Sequence, residues 1–242
     1  MKKIITLLGL ASCGVFFAQT GNVGINTSVP QKTLHINGSV QLTNEFNVGG
    51  TASTAGSAGS AGQFLQSNGP GVAPSWTSYT GSGTLILVNG TPTVAQEITV
   101  QMTANYTTTS TSTPQAIGNL NNEIIDNQNR YVGTAATNSF TVGANGTYQV
   151  TINAQLSTTQ FDNPVVGIWD NTTNAWVARV NDQFMADTGD LQTYTLITSI
   201  AMLASHTYSF RVTNTSFVTV RAFSSGTTGS GPVTQVTLRR LN

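Results

Sequence analysis

The stretch "WDNTTNAW", Trp169 to Trp176, is the part of the sequence best equipped for chemistry, because two indoles flank Asp170, Asn171, Thr172, Thr173 and Asn174. Ligand sites favour aromatic walls with a few polar anchors, so Trp169 and Trp176 could stack on a sugar while Asp170, Asn171 and Asn174 bind its hydroxyls. The plainer alternative is a hairpin whose Asx-rich turn sets the two tryptophans opposite each other, a pairing of about 0.2–1 kcal/mol. A second cluster, Asp182, Asp187 and Asp190 in "NDQFMADTGD", offers carboxylates. Calcium takes about six to eight oxygen ligands and this spacing fits no calcium-loop signature, so a solvated acidic loop is expected and no metal or cofactor is assigned.

Catalytic combinations are sparse. His35 and His206 lie in different parts of the chain, and neither has an acid–base neighbour in the sequence, so His206 reads as a surface turn residue. No serine occupies a G-x-S-x-G elbow, no histidine pair has metal spacing, and Lys32 is the one lysine beyond the N-terminal segment, which leaves no phosphate loop. These features point away from an enzyme. Arg239 and Arg240 near the C-terminus read as protection of a sheet edge rather than as an anion patch.

The elements that must position these residues come in four parts. Met1-Lys2-Lys3, the apolar run Ile4–Phe17 and Ala18-Gln19 have the layout of a secretory leader, so residues 1–19 are expected to be removed and the chain exported. That run is shorter than the ~18–20 apolar residues that span a bilayer, and no later stretch approaches that length, so no transmembrane helix is expected. The second part, residues 20–48, contains "GNVGINTSVPQKTLHINGSVQL", which alternates as a β-strand does but has nothing within hairpin reach to pair with. The third, residues 49–80, opens with "GGTASTAGSAGSAG", the composition of a flexible linker. The glycines spaced three apart lack the prolines of a collagen helix. Within the same part, Phe64-Leu65 and Trp76 read as two short strands around a Pro-Gly loop. The fourth, residues 81–242, is β throughout.

Within that last part "TYQVTINAQL" puts Tyr148, Val150, Ile152, Ala154 and Leu156 on one face, with similar alternation in Ile98-Val100-Met102, Tyr208-Phe210-Val212, Val218-Val220-Ala222 and Val236-Leu238. No helical period appears, and the expected fold is all-β, an antiparallel two-sheet sandwich. Beyond the leader, one lysine and six arginines face nine acidic residues, with no basic stripe for nucleic acid. With Cys13 inside the leader no disulfide is available, and the core must rest on apolar burial.

Three resemblances sharpen these expectations. "LASC", ending at Cys13, is similar to a bacterial lipoprotein cleavage box, but cleavage there would begin the mature chain with the apolar "GVFFA" where a polar linker belongs, so Cys13 reads as leader. Val23, Gly24, Ile25, Thr27, Pro30, Leu34, Ile36 and Gly38 resemble the recurring "VGIGTxxPxxxLxVxG" segment of bacterial surface and tail-fibre-like proteins, with Asn26 in place of a glycine. "NSFTVGANGTYQVTINAQL", through Phe140, Gly146 and Tyr148, and "TSIAMLASHTYSFRV", with Ser205 replacing a glycine, resemble the globular head of complement component q and the tumour-necrosis-factor jelly roll. The last resemblance implies a jelly roll of about ten strands that assembles as a homotrimer. Val23, Ile25, Leu34 and Ile36 would then face a shared axis. The expected protein is a secreted or surface-displayed trimer with a structural, adhesive or recognition role, or alternatively a carbohydrate-binding module using Trp169–Trp176.

Overall fold

The computed structural model describes residues 21–242; the expected leader and Cys13 lie outside the described residues. Contacts divide the chain between Ser78 and Tyr79 into two units, each taken by itself below. Among the described residues there is no helix, and therefore none long and apolar enough to cross a membrane.

In the N-terminal unit β1 (Val23–Ile25) and β2 (Leu34–Ile36) pair in parallel, with Val23 opposite Leu34 and Ile25 opposite Ile36. This corrects the expectation that the stretch has no partner of its own. The partner arrives by a parallel return rather than a hairpin, and Asn26 makes the return possible. It takes a left-handed φ of 56°, tolerated by asparagine, and its side-chain amide donates to the Asn37 carbonyl at 2.9 Å while the Asn37 amide donates back at 3.3 Å. Register puts Val23, Ile25, Leu34 and Ile36 on one face, and Val23, Ile25 and Leu34 remain 38%, 51% and 58% exposed.

The glycine-rich run also departs from its expectation as a flexible linker. Val48 bridges Ser57 and Thr51 bridges Thr54, and the Trp76 indole N–H donates to the Ser57 carbonyl at 2.9 Å. Gly59 lies so close beneath that indole that a Cβ would stand 2.7 Å from its ring. Composition here serves close packing against Trp76, which sits on the hairpin of β3 (Phe64–Gln66) and β4 (Ser75–Thr77).

The C-terminal unit begins with a hairpin of β5 (Leu85–Val88) and β6 (Thr91–Val94). There follow β7 (Glu97–Met102), β8 (Tyr106–Thr107), β9 (Gln115–Ala116), β10 (Leu120–Asp126), β11 (Tyr131–Gly133), β12 (Asn138–Thr141) and β13 (Gly146–Thr158). The remainder is β14 (Val165–Asp170), β15 (Ala175–Val180), β16 (Gln192–Met202), β17 (Thr207–Thr213), β18 (Val218–Arg221), a small hairpin of β19 (Phe223–Gly226) and β20 (Gly229–Pro232), and β21 (Gln235–Arg240).

One sheet runs β10-β7-β21-β13-β18-β8 with β16 also on β13; the other runs β11-β12-β17-β14-β15 with β9 on β17. The last strand thus lies between the first and third long strands, and β12 pairs with β17 while β13 pairs with β16. That interleaving is the jelly roll. The expected inward residues fill the space between the sheets: Ile98, Val100, Tyr148, Val150, Ile152, Ala154, Leu156, Phe210, Val212, Val236 and Leu238 are all buried. Phe140 stacks on Phe210 at 5.0 Å and on Tyr208 at 5.7 Å. β21 is an interior strand, so Arg239 and Arg240 do not guard an edge; Arg239 lies opposite Glu97, and Arg240 donates to the Asn242 and Asn145 carbonyls.

The outward face of the first sheet is a ladder of neutral polar pairs: Thr99 with Thr237 (3.3 Å), Gln101 with Gln235 (2.9 Å), and Thr195 with Asn153 (3.0 Å). Ile197, opposite Thr151, is 65% exposed on the same face. Register also sets the direction of the strands. Glu97, Gly146, Met202 and Arg240 meet at one pole, and Thr158, Gln192 and Val218 mark the other. Replacing Phe140 by alanine is expected to cost about 3–5 kcal/mol of unfolding free energy. In urea denaturation that appears as a lowered midpoint at unchanged slope.

Candidate functional site

The hairpin of β14 and β15 carries the residues singled out for ligand binding. Ile168 opposes Ala178 but Trp169 opposes Trp176, so Val177 is an extra residue in β15. The turn, where Asp170 opposes Ala175, sets the two indoles directly opposite each other, and the bulge re-aims the strand just beyond them. Their rings meet edge to face at 5.3 Å and 89°, the arrangement favoured by aromatic quadrupoles. Asn174 closes the turn in the left-handed region at φ 54°.

The polar members of the motif are engaged within the fold. Asp170 accepts from the Thr172 and Thr173 amides at 2.8 and 3.2 Å and pairs with His206 Nδ1 at 2.6 Å. Asn171 accepts from the Ser209 hydroxyl at 2.8 Å and from the Arg211 guanidinium at 2.7 Å. Arg211 in turn donates to the Pro114 carbonyl at 2.9 Å and lies over the Trp169 ring, 5.1 Å from its centroid. A desolvated cation on an indole is worth about 2 kcal/mol. Burial pushes the Arg211 guanidinium below its usual value. Burial pushes the Asp170 carboxyl up, but the bonds from His206 and the Thr172 and Thr173 amides outweigh it and leave the group below the ordinary carboxylate range.

Sequence reasoning selected Asp170 and Asn171 but missed what holds them, namely His206, Ser209 and Arg211. The missed signal was the alternation of β17, which turns Ser209 and Arg211 outward beside β14. His206, read as having no acid–base neighbour, has one in Asp170, from 36 residues earlier. The pair ties the β14–β15 turn to the turn before β17. Clefts of about 480, 330 and 260 Å3 among the described residues are lined by neither His206 nor Asp170. Asp182 accepts from the Phe184 amide at 3.2 Å, and the Asp190 amide donates to the Asp187 carbonyl at 2.9 Å. No group of three or more His, Cys, Asp or Glu converges on a metal position among the described residues.

No family model and no curated protein matches the chain. Solved structures do resemble it. The Eiger TNF from S. frugiperda is 10% identical over 61% of this chain and 93% of its own, with a TM-score of 0.41. The globular domain of zebrafish complement 1qA is 12% identical over 61% and 95%, with a TM-score of 0.37. The PRD1 vertex protein P5 is 10% identical over 61% and 96%, with a TM-score of 0.31. The head is a jelly roll by its own strand order.

Because Asp170 has a lower pKa folded than unfolded, its contribution is complete above about pH 4 and is lost as pH falls through the folded value. Asp170→Asn is therefore expected to lower unfolding free energy by about 1–3 kcal/mol at pH 7. Its deficit should shrink as pH drops below about 4, which urea titration across pH measures.

Proposed function

We infer that the chain is exported and assembles as a non-enzymatic homotrimer, displayed at the cell surface or released outside the cell, with a structural, adhesive or recognition role. The observation that carries this reading is the apolar face of Val23, Ile25 and Leu34, all exposed, and the half-buried Ile36. Two strands of three residues each cannot stabilise themselves in water. Three copies joined through their heads would hold these pairs at an effective concentration of order millimolar, and each would cover the others' apolar face. The neutral outward ladder of the first sheet, with the exposed Ile197 on β16 beside it, supports head-to-head contact, since interface centres are depleted of charge. The segmentation that goes with this reading is a leader over residues 1–19, a stalk over 20–48, a joint over 49–80 and the jelly-roll head over 81–242. Periplasmic residence remains compatible with an exported chain.

The head also presents a distinct second pole. Phe161, Phe184 and Phe217 are exposed on loops at the end away from Glu97 and Arg240, and Phe223 and Leu191 line a cleft with Arg221 and Gln155. Exposed aromatic groups at one pole fit contact with a protein or glycan partner. The alternative, a carbohydrate-binding module at Trp169, Asp170, Asn171, Asn174 and Trp176, is favoured by one feature, the half-buried Trp176 beside the exposed Asn174.

Light scattering on the chain from residue 20 onward is expected to give the mass of three chains at micromolar loading. Combining Ile25→Asp with Leu34→Asp should raise the dissociation constant at least tenfold, about 1.4 kcal/mol. A single-chain mass for the unsubstituted protein would overturn the trimer.

A further inference from the structure

The outward face of the second sheet contains a cleft that the proposed assembly leaves without a role. It measures about 480 Å3 and is lined by Gln128, Asn129, Arg130, Val132, Ser139, Phe140 and Thr141 together with Thr207, a volume within the ~300–1,000 Å3 usual for small-molecule sites. Its floor follows from register. Val132 opposes Ser139 and Thr141 opposes Thr207, so these side chains point outward while Tyr131, Phe140 and Tyr208 point into the core.

Its wall is a fixed turn. Asn129 sits at φ 53°, its amide donates to the Asp126 carbonyl at 3.3 Å, and the Asp126 carboxylate accepts from the Tyr131 amide at 2.8 Å. The turn delivers Gln128 and Arg130 over Gly143, where a Cβ would collide with Gln128 Oε1 and stand 3.3 Å from Arg130 Nε. A glycine at that position is what lets both side chains lie across the backbone.

Arg130 is the one charged group lining the cleft, and its single side-chain bond is a long one, 3.4 Å to the Thr141 hydroxyl. It makes no ion pair among the described residues, where the carboxylate contact within ion-pair distance is that of Asp170 with the His206 imidazole. Asp126, the carboxylate of the same turn, is directed at the Tyr131 amide instead. An exposed guanidinium with free donors is suited to bidentate capture of a carboxylate. Around it stand two amides and three hydroxyls, with Val132, 60% exposed, as the apolar side chain open to a ligand and the buried Phe140 at the base. Such a set matches a ring bearing several hydroxyls and one carboxylate better than an apolar side chain.

We propose that this cleft binds an acidic sugar unit, with Arg130 on the carboxylate, Gln128, Ser139, Thr141 and Thr207 on the hydroxyls, and Val132 against the ring face. The proposal rests on the reading of the head as a recognition module and supplies its ligand class. It uses none of the residues of the apolar stalk face, so the measured mass and the measured binding can fail separately.

The test is calorimetric titration of the full chain with tetragalacturonate, with its fully methyl-esterified form, and with sodium acetate at equal carboxylate concentration. Saturable binding of tetragalacturonate is expected, weakened at least tenfold by esterification, by Arg130→Gln and, to a smaller degree, by Thr207→Val, with melting temperatures unchanged. Acetate is expected to compete at least a hundredfold more weakly. Absence of tetragalacturonate binding at millimolar concentration, equal binding by Arg130→Gln, or equal competition by acetate would each overturn the proposal.

Discussion

Closure of the head by its last strand is the constraint on which the rest depends. β21 donates and accepts along both sides, joining residues 134 to 142 positions apart on the β7 flank and 82 to 92 apart on the β13 flank. Without it the first sheet would split into β10-β7 and the β13 group, and Val236 and Leu238 would leave the core. Such long loops carry a closure entropy that must be met before the contacts form, so folding is expected to be slow and to depend on the whole head. The register fixed by this strand also sets the poles of the sandwich, and with them which loops carry the exposed phenylalanines.

The same constraint explains how much of the fold was legible. Faces were, because a buried sheet face demands period-two alternation, and Tyr148 through Leu156 could hardly be read otherwise. Pairing was not. Arg239 and Arg240 look like edge residues when β21 is taken by its position at the end of the sequence, and become interior when the topology places it between β7 and β13. Composition misled in the glycine-rich run for a similar reason: Gly59 reports the proximity of Trp76, seventeen residues on, which local statistics do not contain.

The candidate site was legible in its residues and illegible in its partners. Trp169 and Trp176 flank an Asx turn, and that much fixes them as cross-strand neighbours. Their contact with Arg211, and the contact of Asp170 with His206, come from β17 pairing to β14, a non-local event. The result binds three turns of chain into one network, which leaves fewer free polar atoms for a ligand than the motif alone implies. The cleft around Arg130 had the opposite fate. Its residues are scattered among ordinary strands and drew no notice until register brought Ser139, Thr141 and Thr207 beside the turn at Asn129.

The strand entering the head at Glu97 and the chain's last residue, Asn242, emerge at the same pole of the sandwich, with the Thr147 amide donating to the Asn242 side chain at 2.8 Å. A reporter or cargo appended after Asn242 would consequently sit beside the start of β7. Phe161, Phe184 and Phe217 lie at the other end of the strands, so an appendage at this pole would leave them clear.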